Sequence, residues 1–146
     1  MGSVTMMVSQ LFLAMVLVVL VTATPGFAYN FNSRYTLNIG NNIMMKDVPV
    51  VIHCYTDNSG PHDLGEHSLW NSDEWTVTFK EKFFGLVHYW CQMRHGNQYK
   101  DKVVLYDSNT PNYKCYETYI CYWEVRDDGF YFSGDNRDTW VKYTGW

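Results

Sequence analysis

All four cysteines of this chain, Cys54, Cys91, Cys115 and Cys121, lie downstream of an uncharged apolar leader, and that arrangement narrows the possible folds more than any other feature of the sequence. No charged side chain occurs from Met1 to Ser33, Leu11 to Val21 is unbroken apolar, and Gly26 and Ala28 follow Pro25 in small-x-small spacing. A bilayer span needs about 20 apolar residues, so the run is short for an anchor. It reads as a secretory signal peptide, residues 1–28, with no membrane insertion after cleavage at Ala28. Cysteines delivered to an oxidising compartment pair with one another, so two disulfides are expected. Their spacing is too wide for the close pairs of a zinc site, and no metal or other cofactor is expected. Several connectivities are open. The nested one, Cys54 with Cys121 and Cys91 with Cys115, is favoured because Cys54 and Cys121 both fall at core-facing positions.

The remaining Tyr29 to Trp146 is one domain, too short for two independent cores. It holds every charged residue, so the net charge of −4 belongs to it. A mildly acidic domain without a basic stripe argues against nucleic acid. It also has no polybasic patch for anionic lipid.

Short β-rich runs alternate with turn residues, and no stretch shows helical periodicity. Strands are predicted at Arg34–Ile39, Val48–Tyr55, His67–Trp70, Trp75–Phe79, Leu86–Gln92, Lys102–Tyr106, Tyr119–Arg126, Gly129–Phe132 and Thr139–Tyr143. The spacing indicates an all-β fold, a small antiparallel β-sandwich stapled by two disulfides. Alternation puts Val50, Ile52 and Cys54 inward, and likewise Trp75, Val77 and Phe79, and Cys121, Trp123 and Val125. Asp128-Gly129 between two alternating runs is a hairpin signal. The longest loop is predicted at Thr56–Glu66. Trp140 to Trp146 reads equally as a last strand or a loose tail.

Several segments, taken in order, resemble the plant self-incompatibility S-protein homologue family. They are Thr36-Leu37-Asn38-Ile39 followed by Asn42-Ile43, the hydrophobic strand into a His-Cys pair at Val50-Val51-Ile52-His53-Cys54, and Asp63-Leu64-Gly65. They continue with the tryptophan strand Trp75–Phe79, then Tyr89-Trp90-Cys91, Cys121-Tyr122-Trp123 and Gly129-Phe130-Tyr131. The resemblance covers nearly all of the mature chain. It implies a secreted, extracellular β-sandwich with two intramolecular disulfides, no catalytic activity and a role in cell–cell recognition. The founding poppy members are stigma-side determinants that pollen perceives through a membrane partner. The expected partner is therefore a cell-surface membrane receptor or other protein, met by a monomer.

Catalytic motifs are lacking. There is no G-x-S-x-G, and Asp127-Asp128 are turn neighbours whose side chains splay apart rather than face each other. His62 and His67 flank Asp63 and Glu66, donor types that zinc accepts, but the intervening Leu64-Gly65 reads as a turn in a surface loop. The family resemblance implies a structural hydrogen bond for His53, whereas His88 and His95 show no partner pattern. Recognition is commonly carried by loops on a rigid frame, so partner contacts are expected at Asp57, Asn58, His62 and Asp63, and at an opposite turn cluster, Asp107, Asn109 and Asn112. Aromatic residues make up 18% of the chain, which keeps a cell-wall carbohydrate-binding or defence-related module as the rival reading, with Tyr55, Trp70, Trp140 and Trp146 as outward candidates.

Overall fold

A computed structural model describes residues 33–57, 62–80, 87–110, 115 and 117–146. The leader, Asn58 and Asn112 lie outside the described residues. Nine strands occur among them: β1 (Arg34–Asn41), β2 (Val50–Thr56), β3 (Asp63–Leu69), β4 (Glu74–Lys80), β5 (His88–His95), β6 (Gln98–Asp107), β7 (Ile120–Arg126), β8 (Gly129–Ser133) and β9 (Val141–Thr144). They form a five-stranded sheet in the order β4-β1-β7-β8-β9 and a four-stranded sheet in the order β3-β2-β5-β6. The architecture is the predicted all-β sandwich, antiparallel apart from β1 and β7, which pair in parallel.

The alternation in sequence becomes the alternation in burial. β2 and β7 bury every second residue, as β-branched and aromatic side chains on a half-buried pleat should. Trp123 sits in the core with Leu37, Ile39, Ile52, Val103 and Phe130. Its indole N–H donates to the Leu105 carbonyl of the facing sheet at 3.0 Å, so one side chain both fills the core and bonds across it.

β1 departs from alternation and is buried almost throughout, because both flanks are paired and polar side chains cover its outer face. Asn38 donates to Glu74 at 2.8 Å and to Thr76 at 3.1 Å. Arg137 closes over them through an ion pair to Glu74 at 2.7 Å. Asn41, also buried, donates to the Leu69 carbonyl at 2.9 Å and accepts from the Ile43 amide at 3.0 Å, tying the end of β1 to the end of β3.

The third strand starts at Asp63 rather than His67, so the long loop is shorter than the composition of Thr56–Glu66 predicts. Gly65 adopts φ 84° and a register shift falls at Cys54/Tyr55, an irregularity that lets Asp63-Leu64-Gly65 pair with β2 instead of turning away. Asp128-Gly129 does close a tight hairpin, with Arg126 opposite Gly129 and φ 139° at Gly129. A Cβ at Gly129 would run into the Thr144 carbonyl of β9. The C-terminal segment is a strand, and beyond it Trp146 packs 4.8 Å from Phe130 and donates its indole N–H to the Arg126 carbonyl at 3.1 Å.

The cysteines pair as Cys54–Cys91 and Cys115–Cys121, which corrects the nested expectation. Inward-facing parity says that a side chain meets the core without saying from which sheet. Cys54 lies in the four-stranded sheet directly opposite Cys91 of β5, while Cys121 lies in the other sheet. Cys115, just ahead of β7, bonds the nearer Cys121. Sequence separations of 37 and 6 make the bridges unequal. In the chain-entropy model they restrict the unfolded chain by about 4 and about 2 kcal/mol. Replacing Cys54 and Cys91 together by alanine should therefore cost about twice the stability lost on replacing Cys115 and Cys121, as read from denaturant midpoints of the two double variants.

Candidate recognition surface

In the four-stranded sheet, β2 and β6 end where β3 and β5 begin, so four strand ends meet at one edge of the sandwich. Of the residues predicted for partner contact, the described ones, Asp57, His62, Asp63, Asp107 and Asn109, lie there. The Asp57 and Asp107 clusters, expected at opposite ends, are instead at the same end, joined through His88. One Asp57 oxygen accepts from the His88 backbone amide at 2.7 Å and the other lies 2.6 Å from His88 Nδ1. On the far side of the ring, His88 Nε2 lies 3.0 Å from Asp107 Oδ1. Asp107 also accepts from the Asn109 amide at 2.8 Å and the Thr110 hydroxyl at 2.7 Å, folding the following turn back on itself. Burial by itself would raise the Asp107 carboxyl, but the Asn109 amide, the Thr110 hydroxyl and His88 outweigh it and hold the group below the ordinary carboxylate value.

The second half of the cluster is built similarly. His62 closes the connection from β2 by placing Nδ1 3.0 Å from the Thr56 carbonyl, while its own carbonyl accepts from the Thr56 amide at 2.9 Å. His53 makes the structural hydrogen bond expected of it, with Nε2 2.8 Å from Asp63 Oδ1. The Gly65 amide donates to the same oxygen at 2.8 Å. The amide first and then the His53 ring lower the Asp63 carboxyl below its usual range. His62 and His67 do not converge, since His67 turns to the Leu64 carbonyl and to the ring of Trp75. Among the described residues no group of three or more His, Cys, Asp or Glu side chains is placed to hold a metal ion.

His88 is the residue that sequence reading missed, and nothing near it in the chain announces its partners. Asp57 and Asp107 become its neighbours only through the pairing of β2 and β6 on either side of β5. Of the four outward aromatic candidates, Tyr55 stands on the outer face of the four-stranded sheet and Trp70 is 51% exposed beyond β3. Trp140 lies against Arg126, and Trp146 belongs to the core margin.

Residues 36–146 match the family described as plant self-incompatibility protein S1. The chain belongs to that family. Among its relatives, S-protein homolog 21 of Arabidopsis thaliana is 25% identical over 121 residues, covering 77% of this chain and 83% of the relative. S-protein homolog 7 of the same plant is 28% identical over 121 residues, 82% of this chain and 78% of the relative. Self-incompatibility protein S1 of Papaver rhoeas is 25% identical over 93 residues, 63% of each chain. No solved structure gives a significant match. The matched span opens at the second residue of β1's Tyr-Thr-Leu-Asn run and includes all four cysteines, so the shared unit is the whole sandwich rather than a fragment of it.

Two outcomes follow for this S1-family domain. His88→Ala should loosen this end locally: faster hydrogen exchange at the Asp57 and Asn109 amides, with a global loss of only about 1 kcal/mol because the bonded groups are partly exposed. Unchanged exchange there would show that the bridge holds nothing. Asp63 and Asp107 both have lowered folded values, so their stabilisation is complete above the ordinary 3.8 and is lost as pH falls below it. Asp107→Asn should accordingly lower the melting temperature at neutral pH, and the difference from the parent should shrink below about pH 4.

Proposed function

We propose that the domain Tyr29–Trp146 is released into the extracellular space after cleavage at Ala28 and acts there, as a monomer, as a non-enzymatic ligand for a membrane-bound protein in cell–cell recognition. The observation that carries this reading is membership in the self-incompatibility S1 family across residues 36–146. The buried, fully paired cysteines fit an oxidising destination. Among the described residues no helix is long and apolar enough to cross a membrane.

The proposed contact surface is the end built from Asp57, His62, Asp63, Asp107 and Asn109, together with Asn58 and Asn112. The hydrogen bonds within it favour recognition through a preorganised shape, since side chains already fixed lose little freedom on binding. Asp57 and Asp63 retain 40% and 61% of their side-chain surface, and their carboxyl oxygens have lone pairs left for a partner's donors.

The test is binding of labelled, oxidised Tyr29–Trp146 to intact plant cells, pollen tubes included. The expected result is saturable binding that excess unlabelled protein displaces and that reduction of the disulfides abolishes. Asp57→Ala with Asp63→Ala should weaken it while the protein stays folded. Absence of saturable binding on every cell type would overturn the ligand reading.

A further inference from the structure

The outer face of the four-stranded sheet adjoins the end just described, since His53 bonds Asp63 there and stacks on Tyr55 here. On the five-stranded sheet, β1 and β4 turn threonines and Asn38 outward, and the rings of Tyr122, Tyr131 and Trp140 are covered by Arg137 and Arg126. On the four-stranded sheet the outward positions of β2, β5 and β6 carry rings. His53 and Tyr55 stack at 4.6 Å, Tyr55 and Trp90 at 5.8 Å, and the Lys102 ammonium lies 5.1 Å from the Trp90 ring. Further along the same face Tyr99 is 55% exposed, the only large ring on this sheet that gives more than half its surface to solvent among the described residues.

Polar side chains frame these rings and are held in place by one another. Asp101 accepts from the Tyr99 hydroxyl at 3.1 Å and from the Gln92 amide at 3.3 Å. Arg94 pairs with Glu66 at 3.6 Å across β2. Between the Tyr99 ring and the Glu66–Arg94 pair lies an open hollow of about 120 Å³, lined also by Val51, His53 and Gln92. That is room for a few waters or one ring-sized group. The Tyr99 phenol is raised above its ordinary value by burial and by its bond to Asp101.

Size and charge decide what such a face can take. Strands about 4.8 Å apart make a four-stranded face about 15 Å across and under about 30 Å long, on the order of 400 Å². A standard-size protein interface buries about 800 Å² of accessible surface on each partner, so a docked protein would have to reach past this flat area onto the surrounding turns. The face is also balanced in charge, with Glu66 and Asp101 against Arg94 and Lys102, so nothing on it selects a polyanion or a polycation. A narrow, flat, neutral strip of aromatic rings edged by fixed amide, carboxylate and guanidinium groups suits a linear chain with apolar ring faces and many hydroxyls. We infer that this face is a binding site for a neutral oligosaccharide, with Tyr99 as the stacking ring, the hollow beside it seating one sugar, and Gln92, Glu66, Arg94 and Asp101 bonding the hydroxyls. The inference does not rest on the receptor reading; it places a second binding activity on the sheet face that adjoins the end cluster at His53.

The test uses oxidised Tyr29–Trp146 titrated calorimetrically with cellohexaose, mannohexaose, xylohexaose and hexagalacturonic acid. The expected result is saturable binding of at least one neutral hexasaccharide, in preference to the acidic one. Tyr99→Ala and Gln92→Ala should each weaken it by about tenfold or more. Both residues are surface side chains, and an unchanged near-ultraviolet circular dichroism spectrum confirms that the variants are folded. Thr78→Ala, on the outer face of the other sheet, should bind as the parent does. No saturable binding of any neutral hexasaccharide, preference for hexagalacturonic acid, or full binding by Tyr99→Ala would each overturn the proposal. So would loss of cell-surface binding in Tyr99→Ala under conditions where free sugars do not compete, because the face would then belong to the protein partner.

Discussion

The parallel pairing of β1 with β7 is the contact on which the rest of the sandwich depends. β1 and β4 form one flank of the five-stranded sheet and β7, β8 and β9 the other, while all four strands of the smaller sheet lie between β1 and β7 in sequence. Until Leu37 meets Cys121 and Ile39 meets Trp123, the larger sheet is in two pieces, and the smaller one has only half a surface to pack on. Contacts so distant in sequence cost loop entropy before they return any burial. The two disulfides act on this problem from different sides. Cys54–Cys91 locks the central pair of the smaller sheet, and Cys115–Cys121 stiffens the chain as it enters β7. The large bridge restricts the unfolded ensemble, and the small one shapes the strand whose arrival completes the fold.

Much of this was legible before any coordinates, and the reason is period. Nine strands were expected and nine are present among the described residues, because β-branched and aromatic residues alternate with polar ones between clear turn signals. Val50, Ile52 and Cys54, and Cys121, Trp123 and Val125, are buried as their parity requires. Parity is a local property, however, and it stops at the sheet. It does not say that Cys54 and Cys121 face the core from opposite sheets, which is why they do not pair. Nor could it foresee that Asp63-Leu64-Gly65, turn-like in composition, extends β3, since that depends on a shifted register against β2.

The candidate sites divide along the same line. Polar loop residues were found by composition, but their grouping at one end came only from the order β3-β2-β5-β6, which sets Asp57 and Asp107 on either side of His88. The outer-face strip is harder still to read. Tyr55, Trp90 and Tyr99 sit on three strands, and in sequence each is simply the outward member of an alternating pair. Only the cross-strand register, Tyr55 opposite Trp90 and Arg94 opposite Tyr99, makes a continuous surface of them.

The two proposed surfaces are held in different ways. The end cluster joins the tips of strands through His88, Asp57, Asp63 and Asp107, groups whose bonds are partly exposed and locally openable. The outer face rests on β2 and β5, the strands that Cys54–Cys91 ties directly behind Tyr55 and Trp90. A rigid face suits repeated weak contacts with a regular polymer, because its groups need no reordering at each step. An end formed by strand tips and turns can vary in shape and charge without disturbing the core, and one S1-family scaffold can then carry different specificities at its end over an unchanged sandwich.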